Sequence, residues 1–227
     1  MRKTAMSGEE KSLFNMLNTG YIQPKPVSQF YELYITGEIN SADEYIPWFD
    51  MIRHADETDV VKIYINSYGG DLFTAIQFMR VLSETKATTI ASVEGACMSA
   101  ATMLFLSCSS WEVTPHSVFM FHNYSGGTIG KGGEMIDQLM HERKWSEGLM
   151  KEIYKDFLTD DEIDNMLNNR DYWMDGTEVG ERLTKRNQIL EDRANMFLDM
   201  VDTPKKKPAK PAAKKAPAKK ISTRSKK

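Results

Sequence analysis

Three stretches of this 227-residue chain bring groups suited to acyl transfer to places where the secondary-structure pattern changes. Asn66-Ser67-Tyr68-Gly69-Gly70 follows a β-branched run and precedes a helical pattern. Glycines there let the backbone turn sharply and leave N–H groups open to an anion. Gly95-Ala96-Cys97-Met98-Ser99-Ala100-Ala101 sets a serine where strand gives way to helix. Unpaired N–H groups and the helix dipole favour negative charge at that point, as a tetrahedral oxyanion requires. Serine is also a favoured N-cap, so Ser99 by itself reads as a cap or as a nucleophile. Phe121-His122-Asn123 ends a third strand, and the imidazole pKa suits proton transfer near neutrality, although a lone histidine also serves structural roles. Together the types are those of activated-serine chemistry: a hydroxyl is a poor nucleophile until a base removes its proton, and the base needs a fixed tautomer. His54, His116 and His141 fall at a helix end, in a turn and on a helix, and are assigned no chemistry. Cys97 reads as a small apolar residue. With no His-Glu-x-x-His and no Gly-Lys-Ser/Thr, neither a metal nor a nucleotide is expected on the chain.

The elements that must position these groups alternate. Residues 30–37 and 60–66 read as strands, separated by a helix starting at Ser41. Gly69 and Gly70 open a second helix, in which Leu72, Ile76, Met79 and Leu82 keep a 3.6-residue period. A strand at 87–93, a short buried helix from Ser99 to Leu106 and a strand from Ser117 to Phe121 follow. Glycines 126, 127, 130, 132 and 133 punctuate the next segment, and then about 25 residues from Glu134 read as a long helix with a polar interruption. Thr159 with Glu162 fits a capping box, and residues 171–174 read as a last strand. The pattern predicts an α/β fold with right-handed crossovers and a mainly parallel sheet, whose reactive groups collect beyond the carboxyl ends of the strands.

Composition sets the bounds. At 41% hydrophobic and 27% charged residues the chain suits one globular core. The formal charge of -3 conceals a division: residues 203–227 hold eleven Lys or Arg and no acid, leaving 18 basic against 32 acidic residues in 1–202. The organisation read from this is an N-terminal arm or loop at 1–28, a domain at 29–202 and a disordered Lys/Ala/Pro tail at 203–227. The tail reads as a partnerless extension, as a nucleic-acid contact or as a contact with an acidic protein surface. Two cysteines in an apolar stretch form no disulfide framework, and no secretory signal precedes Gly8 to Lys11, so a cytoplasmic location is expected. The apolar window from Ala96 to Leu106 is too short to cross a bilayer, so no membrane partner is expected.

Four motifs in order, Asn66-Ser67-Tyr68-Gly69-Gly70, Gly95 to Ser99, His122 with Gly126-Gly127, and Arg170-Asp171-Tyr172, give residues 30–190 a resemblance to the proteolytic subunits of the Clp protease family, whose fold is related to crotonase. The resemblance implies repeated β-β-α and βα units, a handle strand at Tyr124–Gly132 and a long handle helix. It implies Ser99 as nucleophile, His122 as general base and Asp171 as the carboxylate that orients the imidazole. The backbone N–H groups of Gly70 and Ala100 would be the oxyanion donors, and Gly126 and Gly127 would line the substrate groove. It further implies a homo-oligomer of stacked seven-membered rings acting on unfolded polypeptide, with no cofactor of its own and ATP used only by a partner ATPase. Two features depart from the family. The Tyr-Asp-x-Tyr-Ser-x-Leu-Leu run is not recognisable in 1–30, and Lys62, Glu84 and Glu94 stand where the family has an apolar pocket for the ATPase. Charges there resist burial, which argues against the usual docking. A viral capsid-maturation peptidase is a variant of the same reading. An acyl-CoA enzyme of the crotonase fold, or a non-catalytic ring tethered to nucleic acid by its tail, are the alternatives.

Overall fold

The computed structural model describes residues 27–202, with side chains to Leu198. Almost all of the 1–28 arm and the whole 203–227 tail lie outside the described residues. Strand β1 (Phe30–Ile39) alternates buried Leu33, Ile35 and Ile39 with outward Glu32, Tyr34 and Thr36, so only one of its faces is covered. A 3-10 turn at Ala42–Tyr45 leads into α1 (Ile46–His54). Strand β2 (Val60–Gly70), α2 (Leu72–Glu84), β3 (Thr88–Met98) and α3 (Ala100–Ser107) complete the alternation. Then come β4 (Ser110–Glu112), β5 (Val118–Phe121), α4 (Gly132–Tyr154), α5 (Asp160–Leu167), β6 (Tyr172–Asp175) and α6 (Gly176–Asp202).

The sheet runs β1-β2-β3-β5-β6, with β4 beside the first half of β3. Every pairing is parallel except β5 with β6, which is the mainly parallel α/β sheet expected from the alternation. Helix α3 is buried from Ala100 through Leu106 and forms the centre of the core, with Phe49, Phe78, Phe105, Phe119, Phe121 and Tyr154 fully enclosed around it and the sheet. The chain divides into two compact units, the first ending at Asn187 and holding the whole sheet. The second begins at Gln188 within α6 and exposes Ile189, Leu190, Met196, Phe197 and Leu198.

Several sequence expectations need correction. Ser41 caps nothing, and the α-helix begins at Ile46 because Pro47 offers no N–H to the preceding turn and fits only the first turn of a helix. Strands β2 and β3 each run past their apolar stretches, to Gly70 and Met98. The Gly-Gly motif is therefore a strand end paired with Glu38 and Ile39, and Asp71 opens α2 by accepting from Thr74 N at 2.7 Å. The β2/β3 ladder shifts register after Ile65, where Asn66 Oδ1 takes the Ala96 N–H at 3.0 Å and so keeps the extension bonded. Helix α4 is unbroken: its polar middle is exposed, and Gln138–Glu142 and Lys151–Glu147 bonds span it at i,i+4. The apolar pair Phe157/Leu158 lies beyond this helix, after Asp156 at φ +69°. Tyr124–Gly132, expected as a handle strand, forms no strand, since β5 already has β3 and β6 on its two sides and the glycine-rich segment leaves the sheet after Phe121. The capping box of α5 is present as expected, with Thr159 Oγ1 and Glu162 bonding reciprocally.

Candidate active site

Ser99 is the residue at which β3 becomes α3. Its N–H donates to Met120 O of β5 at 2.9 Å, and its carbonyl accepts from Thr102 N at 2.9 Å and from Thr102 Oγ1 at 2.7 Å. One backbone is thus tied to sheet and helix together, at φ +54° and ψ -128°, a conformation that costs a non-glycine residue about 1–3 kcal/mol. Ser99 occupies the N-cap position, yet its side chain makes no capping bond. Its Oγ lies 2.6 Å from His122 Nε2 instead. The cap alternative raised by the sequence is therefore unused, and the hydroxyl is directed at an imidazole.

The parallel register explains how residues 23 apart in sequence meet. Met98 pairs with Met120, so Ser99 and His122 leave neighbouring strands at the same carboxyl-end edge. Both are half-buried. With the Nδ1 proton in place, Nε2 can accept the serine hydroxyl proton, which is the arrangement a general base needs.

The Gly-Gly strand end is pressed against this turn. Gly69 has φ +98°, and a Cβ there would stand 2.7 Å from Ser99 Cβ and 2.8 Å from Met98 O. Gly70, at φ +150°, would put a Cβ 2.2 Å from Ile39 O. Only glycine allows β2 to approach the serine turn so closely. Buried Ser67 steadies the bend by accepting Gly69 N–H at 3.1 Å. Gly70, Ser99, Ala100 and His122 consequently line one small pocket of about 60 Å³, closed behind by Met150 and Tyr154. Tyr154 Oη is bonded to Thr102 Oγ1 at 2.7 Å, linking the end of α4 to the first turn of α3. Burial pushes the Tyr154 hydroxyl pKa up, so it stays protonated.

Asp171 does not join that pocket. It stands just before β6 with an exposed side chain, and among the described residues no hydrogen bond connects it to His122. The backbone nevertheless brings the two near. Phe121 pairs with Tyr172 in the antiparallel ladder, and His122 and Asp171 are the residues one step beyond. Asn123 ties the same edge to the last residue of α5, donating to Leu167 O at 3.3 Å. Gly126 and Gly127 line a larger cleft of about 680 Å³ that extends from Gly70 to Trp145 on α4.

Sequence reasoning missed Thr102 and Tyr154 as supports of the site, and it named Asn66 within a motif without its role of accepting Ala96 N–H. Cys97 is buried beneath the site, and burial raises its thiol pKa well above the ordinary value; that of Cys108 is pushed up to about 12. Lys62 pairs with Glu112 at 2.7 Å, and Ser92 Oγ bridges Glu112 and Glu94 at 3.1 and 3.3 Å. Glu84 pairs with Arg53 and Arg80. Among the described residues no three His, Cys, Asp or Glu gather as a metal site, and no helix is long and apolar enough to cross a membrane.

Comparison with known proteins shows which family the chain belongs to. The Clp protease family pattern matches residues 30–182. The ATP-dependent Clp protease proteolytic subunit of Streptococcus uberis is 26% identical over 165 residues, covering 65% of this chain and 78% of the relative. The corresponding subunit of Streptococcus mutans is 26% identical over 163 residues, covering 64% and 77%.

Proposed function

From the premise that the chain belongs to the Clp protease family, and so is a Clp-type peptidase, we propose that it is a serine endopeptidase cleaving unfolded or extended polypeptides inside an oligomeric chamber. The observation that carries this reading is the 2.6 Å contact between Ser99 Oγ and His122 Nε2 in a pocket that also holds Gly70 and Ala100. In this reading His122 takes the Ser99 proton as Oγ attacks the scissile carbonyl, and the tetrahedral oxyanion is held by the N–H groups of Gly70 and Ala100. His122 then hands the proton to the leaving amine, and a water repeats the sequence to release the acyl group. Asp171, one step past the last β5/β6 pair but not bonded to His122 here, would have to turn its carboxylate to Nδ1–H to orient the ring and stabilise the imidazolium.

What the single chain leaves uncovered supports the chamber. Ile136 and Met140 on α4 are 60% and 69% exposed, an apolar stripe suited to a second copy of the chain. No cofactor is assigned to the chain, and ATP hydrolysis would belong to a separate unfolding partner. The Lys62–Glu112 and Glu84–Arg53 ion pairs favour a partner surface with complementary charge over an apolar plug. A fluorophosphonate probe tests the assignment: a single adduct is expected on Ser99, lost in His122→Ala. Labelling elsewhere, or unchanged peptide turnover by Ser99→Ala, would overturn it.

A further inference from the structure

This inference rests on the peptidase reading of Ser99 and His122 and adds a substrate side-chain class to it. The 680 Å³ cleft shares Gly70, Leu72, Tyr124 and Ser125 with the pocket at Ser99, so a peptide extending from the serine runs into it. Its wall is an aromatic pair. Phe73, on the first turn of α2, is 69% exposed, and Trp145, in the middle of α4, is 36% exposed; their ring centroids are 5.8 Å apart with planes inclined by 22°. Tyr124 adds a third ring.

The charge of the cleft is one-sided. Among the described residues Asp71 and Glu142 line it, no Lys or Arg does, and His141 is the one basic side chain. Each carboxylate is only partly used among the described residues. Asp71 accepts from Thr74 N through Oδ1, and Glu142 accepts from Gln138 Nε2 through Oε1 at 2.7 Å, with Oδ2 and Oε2 making no hydrogen bond to another described residue. Aromatic faces attract a cation through their quadrupole and pack its alkyl stem, and a carboxylate with a free oxygen accepts its N–H groups. A glutamate or aspartate side chain would meet like charge here.

We infer that the Phe73–Trp145 cleft is a specificity subsite for an arginine or lysine side chain next to the scissile bond of the peptide substrate. The test uses the full chain and fluorogenic peptides of one sequence, with Arg, Leu or Glu placed in turn at the two positions on each side of the cleaved bond. At one position Arg should exceed Leu by about fivefold in kcat/KM, with Glu the poorest of the three. Glu142→Gln and Trp145→Ala should each bring the Arg-to-Leu ratio close to one, whereas Trp145→Phe, which keeps a ring, should retain most of it. Equal turnover of Arg and Leu peptides at all four positions, or a ratio unmoved by Glu142→Gln and Trp145→Ala, would overturn the subsite. Fluorophosphonate labelling separates the two levels: a chain labelled at Ser99 that cleaves Leu peptides without Arg preference refutes the subsite alone, and a chain unlabelled at Ser99 refutes the peptidase reading and the subsite with it.

Discussion

The turn at Ser99 and the cleft wall at Tyr124–Lys131 meet at one pocket and are built in opposite ways. At the turn three backbone groups are tied down: Ser99 N to β5, Ser99 O to Thr102, and Gly69 N to Ser67. A single added methyl at Gly69 would collide with Ser99. On the wall, Gly127 has nothing within 4 Å of where a Cβ would stand, and Thr128 reaches Gln138 through one side-chain bond of 2.6 Å. The difference separates two tasks. Proton transfer over 2.6 Å tolerates little displacement, so its groups belong on packed strand ends, while a wall that admits varied peptides can be loosely held.

The strongest way to break this comparison is to remove the reacting pair. Ser99→Ala and His122→Ala should each lower kcat for an unstructured peptide by at least about 10³-fold, and the double variant should lose no more than either single one, because the groups act as a unit. Asp171→Asn is expected to remove most activity as well. Near-native turnover by Asp171→Asn would show that the two-residue Ser99–His122 contact suffices. Circular dichroism should show all of these variants folded.

Next in size is a methyl on each side of the boundary. Gly69→Ala should destabilise the fold by about 2–4 kcal/mol, through both φ +98° and the clash with Ser99. Gly127→Ala should fall within about 0.5 kcal/mol of the parent in urea unfolding. Equal effects at the two positions would erase the contrast between packed turn and open wall.

A smaller effect concerns the scaffold behind the wall. Arg182 holds Glu162 with paired bonds of 2.8 and 2.7 Å, and this contact lowers the Glu162 carboxyl to about 2 from the ordinary 4.5. A depressed folded pKa means that the stabilisation is complete above the unfolded value and is lost as pH falls from about 4.5 through about 2. Solvent screening of this half-buried pair limits it to about 1 kcal/mol. Stability measured by chemical denaturation should therefore drop across that window in the parent and drop less in Glu162→Gln. An identical pH slope in the two proteins would remove Glu162 as the cause.

Much of the fold was legible because local pattern and tertiary placement agree. The β-branched run at 60–66, the helical period from Leu72 and the Thr159–Glu162 box all form what their spacing implies. Misreadings arose where a partner strand overrode the local signal. Gly69 and Gly70 look like a free turn until β1 pairs with them, and the three-residue β4 exists only because β3 offers an edge. The glycine-rich stretch at 124–132 looks like a strand only by resemblance, since β5, the strand it leaves, is already paired with β3 and β6.

The site divides along the same line. Residue types and order brought Ser99 and His122 forward with a cap and a structural histidine as the competing readings, and it was the four motifs taken together as a family resemblance that nominated Gly70, Ala100 and Asp171. That Ser99 turns its hydroxyl to His122 instead of capping α3 was settled by the β3/β5 register and the positive φ at Ser99, which depend on contacts between residues far apart in the chain. The same holds for the meeting of Phe73 with Trp145, 72 residues apart, over a cleft of two carboxylates. Sequence carries the identity and local preference of each group, whereas distances between remote groups are set by the packing that buries Phe119, Phe121 and Tyr154 beneath them.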